Sequence, residues 1–291
     1  MSSVVKCSAK GCHVSSELGE YDSMMLRLGF SNCCKHLEFE SNEVTTRIEY
    51  STQQLNVDMI TVVFYDIGLS MDGQVEQLTA FSLTGEIFSS FIKTTLRANK
   101  KSAQRKLPND LYNALSEEPK VAMERFHQWI KMIHSMNTRG NSDLRNVVLT
   151  AHFGSCHYHI YLLRTMLGCG VVPPDFRLAD SLALFMLIKG SDEDAGIALL
   201  VAKYATWMQY DPNNADNDAR ALRTLIMTVF PETKAACYAF SISCEEFLER
   251  TRLNELEFGH LGYTHYPMGE GAIICEESGN LLGWRDRANG V

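Results

Sequence analysis

The stretch that most limits the fold is Met59-Ile-Thr-Val-Val-Phe-Tyr65, followed at once by Asp66. It is almost entirely apolar and rich in β-branched residues, which suit an extended chain and pack well on a pleated surface. A run without polar alternation has no face to offer water. It therefore predicts a central strand covered on both sides.

The rest of the chain supplies the covering layers. Ser70-Met-Asp-Gly73 predicts a turn, Val75 to Leu83 a second strand and Glu86 to Ile92 a third, with the short Leu83-Thr-Gly-Glu86 link as a hairpin. Pro119 to Met136 predicts a helix, with Pro119 in its first turn and Val121, Phe126, Trp129, Ile130 and Ile133 on one apolar face. Asn146 to Ala151 predicts another buried strand. Helices are expected over Ser155 to Leu167, closed by Gly168, then over Leu178 to Ile188, Gly196 to Trp207 and Ala215 to Val229, the last stopped by Pro231. A hairpin sheet followed by α-β-α units implies an α/β fold, a mixed sheet with helices on its faces. We divide the chain into a polar, Cys/His-rich segment 1–55, the α/β domain 56–231 and a poorly patterned extension 232–291.

Composition narrows the setting. With 291 residues, 45% apolar and 21% charged, the chain can bury a sizeable core. No run of about 18 apolar residues is present, so no membrane helix is expected. Met1 to Lys10 has no apolar core of a secretory signal. Nine cysteines without such a signal read as reduced thiols, which places the chain in the cytoplasm or nucleus. The net charge of −8 argues against a surface uniformly coated by nucleic acid, so any such binding must come from a local patch. One basic run offers it: Lys93, Arg97, Lys100, Lys101, Arg105 and Lys106, with no acid between them. It reads either as a solvated loop or as a set of phosphate contacts.

Asp66 at a strand end, beside a hairpin, is the kind of position that carries a metal-binding carboxylate. Nucleases that hold two divalent cations about 4 Å apart need a ring of such oxygens. Three blocks of this sequence, between about residues 59 and 230, follow the order of the DEDD-type exonucleases. They are Val62-Val-Phe-Tyr-Asp66-Ile-Gly68, Val147-Val-Leu-Thr-Ala-His152-Phe-Gly-Ser-Cys-His157, and Asn213-Asn-Ala215-Asp-Asn-Asp218-Ala219-Arg-Ala-Leu222, with Asp180-Ser-Leu between the last two. In these blocks the chain resembles the DEDD exonuclease superfamily, and within it the Exuperantia and PML exon-9-like pseudonucleases. The resemblance implies an RNase H-like sheet. It also implies that Asp66, Gly68, His157, Asn213 and Asp218 occupy the former catalytic positions.

Three of these positions depart from the family pattern. Gly68 stands where a Glu is usual and supplies no oxygen. His157 replaces an Asp and favours softer metals than Mg²⁺. Asn213 replaces the general-base His and takes no proton near neutral pH. The resemblance therefore implies a domain that binds single-stranded RNA without cutting it, and that forms a homodimer. Mg²⁺ or Mn²⁺ at Asp66 and Asp218 remains open, as does a transition metal held by Asp66, His157 and Asp218. Binding itself requires no cofactor.

Each residue also has a plainer role. Asp66 reads equally as a turn cap, Asp218 as an acid at a helix N-terminus, and His152 as a buried hydrogen-bond partner. His157 and His159 are two apart, so they face different sides of a helix. Cys7, Cys12, Cys33 and His36 could form a Cys3His zinc site or stay unligated. Three functions follow: an RNA-binding or ribonucleoprotein-scaffolding pseudonuclease, an active 3′–5′ exonuclease with a rearranged metal site, and a protein-interaction module with no nucleic-acid affinity.

Overall fold

The computed structural model describes residues 56–70, 73–94, 108–189, 196–212 and 214–251, together with two separate strand pairs, Val4–Lys6 with Ser15–Glu17 and Ala272–Ile274 with Leu281–Trp284. In chain order the main body runs β1 (Thr61–Leu69), β2 (Val75–Ser82), β3 (Ile87–Phe91), α1 (Asn109–Leu115), α2 (Pro119–Asn137), β4 (Val147–Ala151), a π-helical turn (Gly154–Tyr158), α3 (His159–Gly168), β5 (Arg177–Asp180), α4 (Ser181–Lys189), α5 (Ile197–Tyr204), α6 (Ala215–Val229), α7 (Thr233–Ala239), β6 (Ser241–Ser243) and α8 (Cys244–Thr251).

The apolar run at residues 59–65 forms the middle of the sheet, as its composition requires. The strand order is β3-β2-β1-β4-β5-β6. β1 pairs antiparallel with β2 and parallel with β4, so its two neighbours run in opposite directions. β5 continues the parallel half and the short β6 closes it antiparallel. The sheet is mixed and helices cover both faces, the α/β architecture expected from the sequence.

The pleat of β1 sorts its side chains. Ile60, Val62 and Phe64 enter a core with Leu182 and Phe185 of α4, Leu200 of α5, Leu222 and Leu225 of α6, and Ala236 of α7. Val63, Tyr65 and Ile67 enter the opposite core, with Phe126 and Ile130 of α2, Leu162 and Leu163 of α3, and Phe247 of α8. A strand with both faces against helices has no place for a polar alternation.

Four local expectations need correction. The apolar run Leu178–Ile188 is not one helix: Arg177–Asp180 is a strand, and α4 begins only at Ser181. Asp180 Oδ1 accepts the Leu182 amide at 3.0 Å, so a cap within the run marks the change of structure. Val121 does not lie on the buried face of α2. It is exposed, and Ala122 and Met123 take the inward positions. The segment expected to be helical from Ser155 starts as a π turn. The helix expected to reach Trp207 stops at Tyr204. Past the boundary drawn at residue 231, the chain continues into the same sheet and cores through α7, β6 and α8. No helix among the described residues is long and apolar enough to cross a membrane.

Candidate functional site

Because side chains alternate along β1, Asp66 falls on the same face as Phe64, toward α6. There it meets Asp218. Burial raises the Asp66 carboxyl well above the usual carboxylate range, the nearby Asp218 charge raises it further, and a hydrogen bond from Tyr158 works the other way. Asp218 is also raised, mainly by burial. Its Oδ1 accepts the Tyr210 hydroxyl at 2.5 Å and its Oδ2 accepts the Asn214 amide at 3.2 Å. Asn214 in turn caps α6, its Oδ1 accepting the Asp216 amide at 2.9 Å. Asp218 thus fastens the entry of α6 while facing Asp66. The site is a carboxylate pair, Asp66 buried and Asp218 half-buried, with one tyrosine hydroxyl on each acid.

Gly68 lies two residues beyond Asp66 on β1, opposite Gln77 of β2. A Cβ built on it would meet Gln77 Cβ at 3.4 Å, an ordinary contact, so a side chain fits there although none is present. The neighbouring Asp216 is engaged by the sheet: Thr79 donates to its Oδ1 at 2.5 Å and Ser89 at 3.2 Å.

The hydroxyl at Asp66 comes from Tyr158, next in sequence to the His157 singled out by the motif. The ring of His157 packs edge-on against Tyr158 and Tyr161, each with centroids 4.9 Å away, and burial holds its pKa down at about 4. The π turn explains the offset, since its wider winding shifts the residues that follow relative to α-helical spacing. His159 is fully committed. Its Nε2 donates to the Ala179 carbonyl at 3.1 Å and its Nδ1 accepts the Tyr65 hydroxyl at 2.7 Å. Burial pushes its pKa down to about 3, so the ring is neutral. The same ring leaves no space beside the turn: a Cβ on Gly154 would lie 2.3 Å from His159 Nε2. His152 is buried and shares a hydrogen bond of 2.9 Å with Ser181 Oγ.

Phe153 precedes the π turn with φ 56°, a left-handed backbone that costs an L-residue roughly 1–2 kcal/mol. Its carbonyl accepts the amides of His157 and Tyr158, so this strained residue closes the turn that carries Tyr158 to Asp66.

Of the basic run only Lys93 lies within the described residues. It is half-exposed and forms an ion pair with Glu118 at 2.7 Å. Arg97, Lys100, Lys101, Arg105 and Lys106 lie outside them, as do Asn213 and the zinc candidates Cys7, Cys12, Cys33 and His36. Among the described residues, no group of three or more His, Cys, Asp or Glu is placed to hold a metal ion. The motif reasoning missed Tyr158, Tyr210 and Phe153. No spacing rule points to them, because they reach the site through the π turn and the α5–α6 loop.

No protein-family model matches the chain, and no curated protein matches it by sequence. Among solved structures it is similar to Escherichia coli Exonuclease I in complex with a dA16 oligonucleotide, at 12% identity and a TM-score of 0.45 over 60% of this chain and 42% of that one. Exonuclease I from the moderately thermophilic Methylocaldum szegediense gives 10% identity and a TM-score of 0.43 over the same shares. The chain thus spans about two fifths of the length of these enzymes. Identity at this level transfers no residue role.

Proposed function

We propose that this domain binds single-stranded RNA and does not cut it. The observation that carries this reading is the tyrosine-capped carboxylate pair. A two-cation nuclease needs several unengaged carboxylate oxygens around its metals. Here Asp66 receives Tyr158, Asp218 receives Tyr210 and its own helix cap, and Gly68 contributes no oxygen. This donor set does not fit a pair of divalent metals, and the neutral His157 ring is packed between two tyrosines rather than added to it.

RNA affinity on this reading comes from the basic run that begins at Lys93, acting on phosphates without regard to sequence, and from surfaces at the rim of the sheet. The resemblance to Exuperantia-type pseudonucleases further supports a homodimer acting in the cytoplasm or nucleus.

One titration tests this. Purified protein is mixed with labelled single-stranded RNA in EDTA, Mg²⁺ and Mn²⁺ at two salt concentrations. Binding that weakens with salt, with intact RNA in every metal, is the expected result. Shortening from the 3′ end that is lost in Asp66→Ala would make the protein an active exonuclease. Neither binding nor cutting would leave the protein-interaction module.

A further inference from the structure

We infer that Phe153 is a stacking platform for a nucleic-acid base, set at the rim of the carboxylate pair; the inference rests on the proposal that the domain binds single-stranded RNA. Three observations place it there. The first is position. In open α/β sheets, ligands settle outside the carboxyl ends of the parallel strands, where the strand order reverses direction. In this sheet that point lies between β1 and β4, because β1 continues to β2 on one side and to β4 on the other. The last register pair is Phe64 with Thr150; Asp66 follows two residues on along β1, and His152 and Phe153 follow directly on the chain leaving β4 at the same end of the sheet.

The second observation is exposure. Phe153 is 42% exposed, although it leaves β4 between the buried Ala151 and His152 and the buried Gly154. Its ring packs edge-on against His152, with centroids 5.0 Å apart, and His152 is itself tied to Ser181. That contact supports the ring from one side. Aromatic rings that stack with bases are the sequence-tolerant element of single-strand recognition, since every base offers a π-face.

The third is the backbone. Arg139 and Phe153 are the only non-glycine residues of positive φ among those described. Arg139 is explained by the turn that ends α2, where it is followed by Gly140, also of positive φ. Phe153 ends no helix, and glycine would suit φ 56° better. Strain retained at a rim, on a large apolar side chain that is not buried, points to use of that side chain.

The backbone also supplies a clean test. Phe153→Gly removes the ring and relieves the left-handed strain, so the fold is kept. Phe153→Trp restores an aromatic face. Binding is measured by fluorescence anisotropy with a labelled oligouridylate of about twelve nucleotides, and with an abasic ribose-phosphate strand of equal length. We expect Phe153→Gly to bind oligouridylate roughly 5- to 150-fold more weakly than wild type, the range for loss of one base–aromatic stack. Phe153→Trp should bind like wild type, and the abasic strand should not distinguish the three proteins. Equal oligouridylate binding by wild type and Phe153→Gly would overturn the stacking role and leave the RNA-binding proposal intact. Equal weakening of Phe153→Gly on the abasic strand would overturn it too, by showing that the ring does not act on bases. Failure of wild type to bind oligouridylate would remove the RNA-binding proposal itself, and this inference with it.

Discussion

Tyr158 donates its hydroxyl hydrogen bond to the buried carboxylate of Asp66, reaching it from a π turn that begins at the left-handed Phe153. This pairing gives the acid a neutral hydrogen-bond donor from within the protein. The acid is held by the protein itself.

The pH dependence of that arrangement has a definite sign. The folded-state pKa of Asp66 is raised, so its contribution to stability is fully present below about pH 4 and is lost as pH rises through the folded value. Asp66→Asn keeps an acceptor for Tyr158 and removes the titration. We expect the variant to gain on wild type as pH rises above 4, with a slope of up to about 1.4 kcal/mol per pH unit. Urea unfolding at pH 5 and pH 8 measures it. An unchanged difference between the two pH values would contradict the burial of this acid.

His159 has the opposite sign. Its folded pKa is depressed to about 3, so its contribution is present above the unfolded value of about 6.5 and is lost as pH falls. The stability gap between wild type and His159→Gln should be largest near pH 7. It should shrink by about 1.4 kcal/mol per pH unit on acidification below 6.5. Denaturant melts from pH 7.5 to 4.5 test this, and a gap that widens on acidification would show that the ring is charged.

Gly154 is held to hydrogen by its neighbour. A methyl group there collides with His159 Nε2, which must keep its bond to Ala179. Gly154→Ala should cost about 1–3 kcal/mol, the usual range for overpacking, visible as a lowered Tm. A variant as stable as wild type would mean that the π turn moves freely.

Gly68 is the contrasting glycine. Its added Cβ meets only an ordinary contact at Gln77, so Gly68→Glu should fold with a stability change within about 1 kcal/mol. Combined with Tyr158→Phe and Tyr210→Phe, it returns a third carboxylate and releases oxygens on Asp66 and Asp218. Calorimetric titration with Mn²⁺ should then show tighter binding than in wild type. No gain in Mn²⁺ affinity would mean that the tyrosine caps are not what keeps the cation out.

Much of the architecture was legible along the chain, for a local reason. A central strand buried on both faces must be apolar throughout, and Met59–Tyr65 shows this without any neighbour. The hairpin after it and the amphipathic spacing of Phe126, Ile130 and Ile133 are short-range patterns as well. The strand Arg177–Asp180 was not legible. Only Asp180 and Ser181 separate its apolar residues from those of α4, and it is the partner strands β4 and β6 that make it extended.

At the candidate site, the sequence by itself placed Asp66 at the central strand and Asp218 at the start of a helix, and it showed that Gly68 brings no oxygen. It could not say which hydroxyl meets which acid. Tyr158 reaches Asp66 because a π turn changes the winding by one residue, and Tyr210 reaches Asp218 from a loop with no periodic signal. Propensity and pattern are properties of neighbours in sequence. The meeting of the buried Asp66 and the half-buried Asp218 with two tyrosines depends on packing between segments far apart in the chain, and only the tertiary structure decides it.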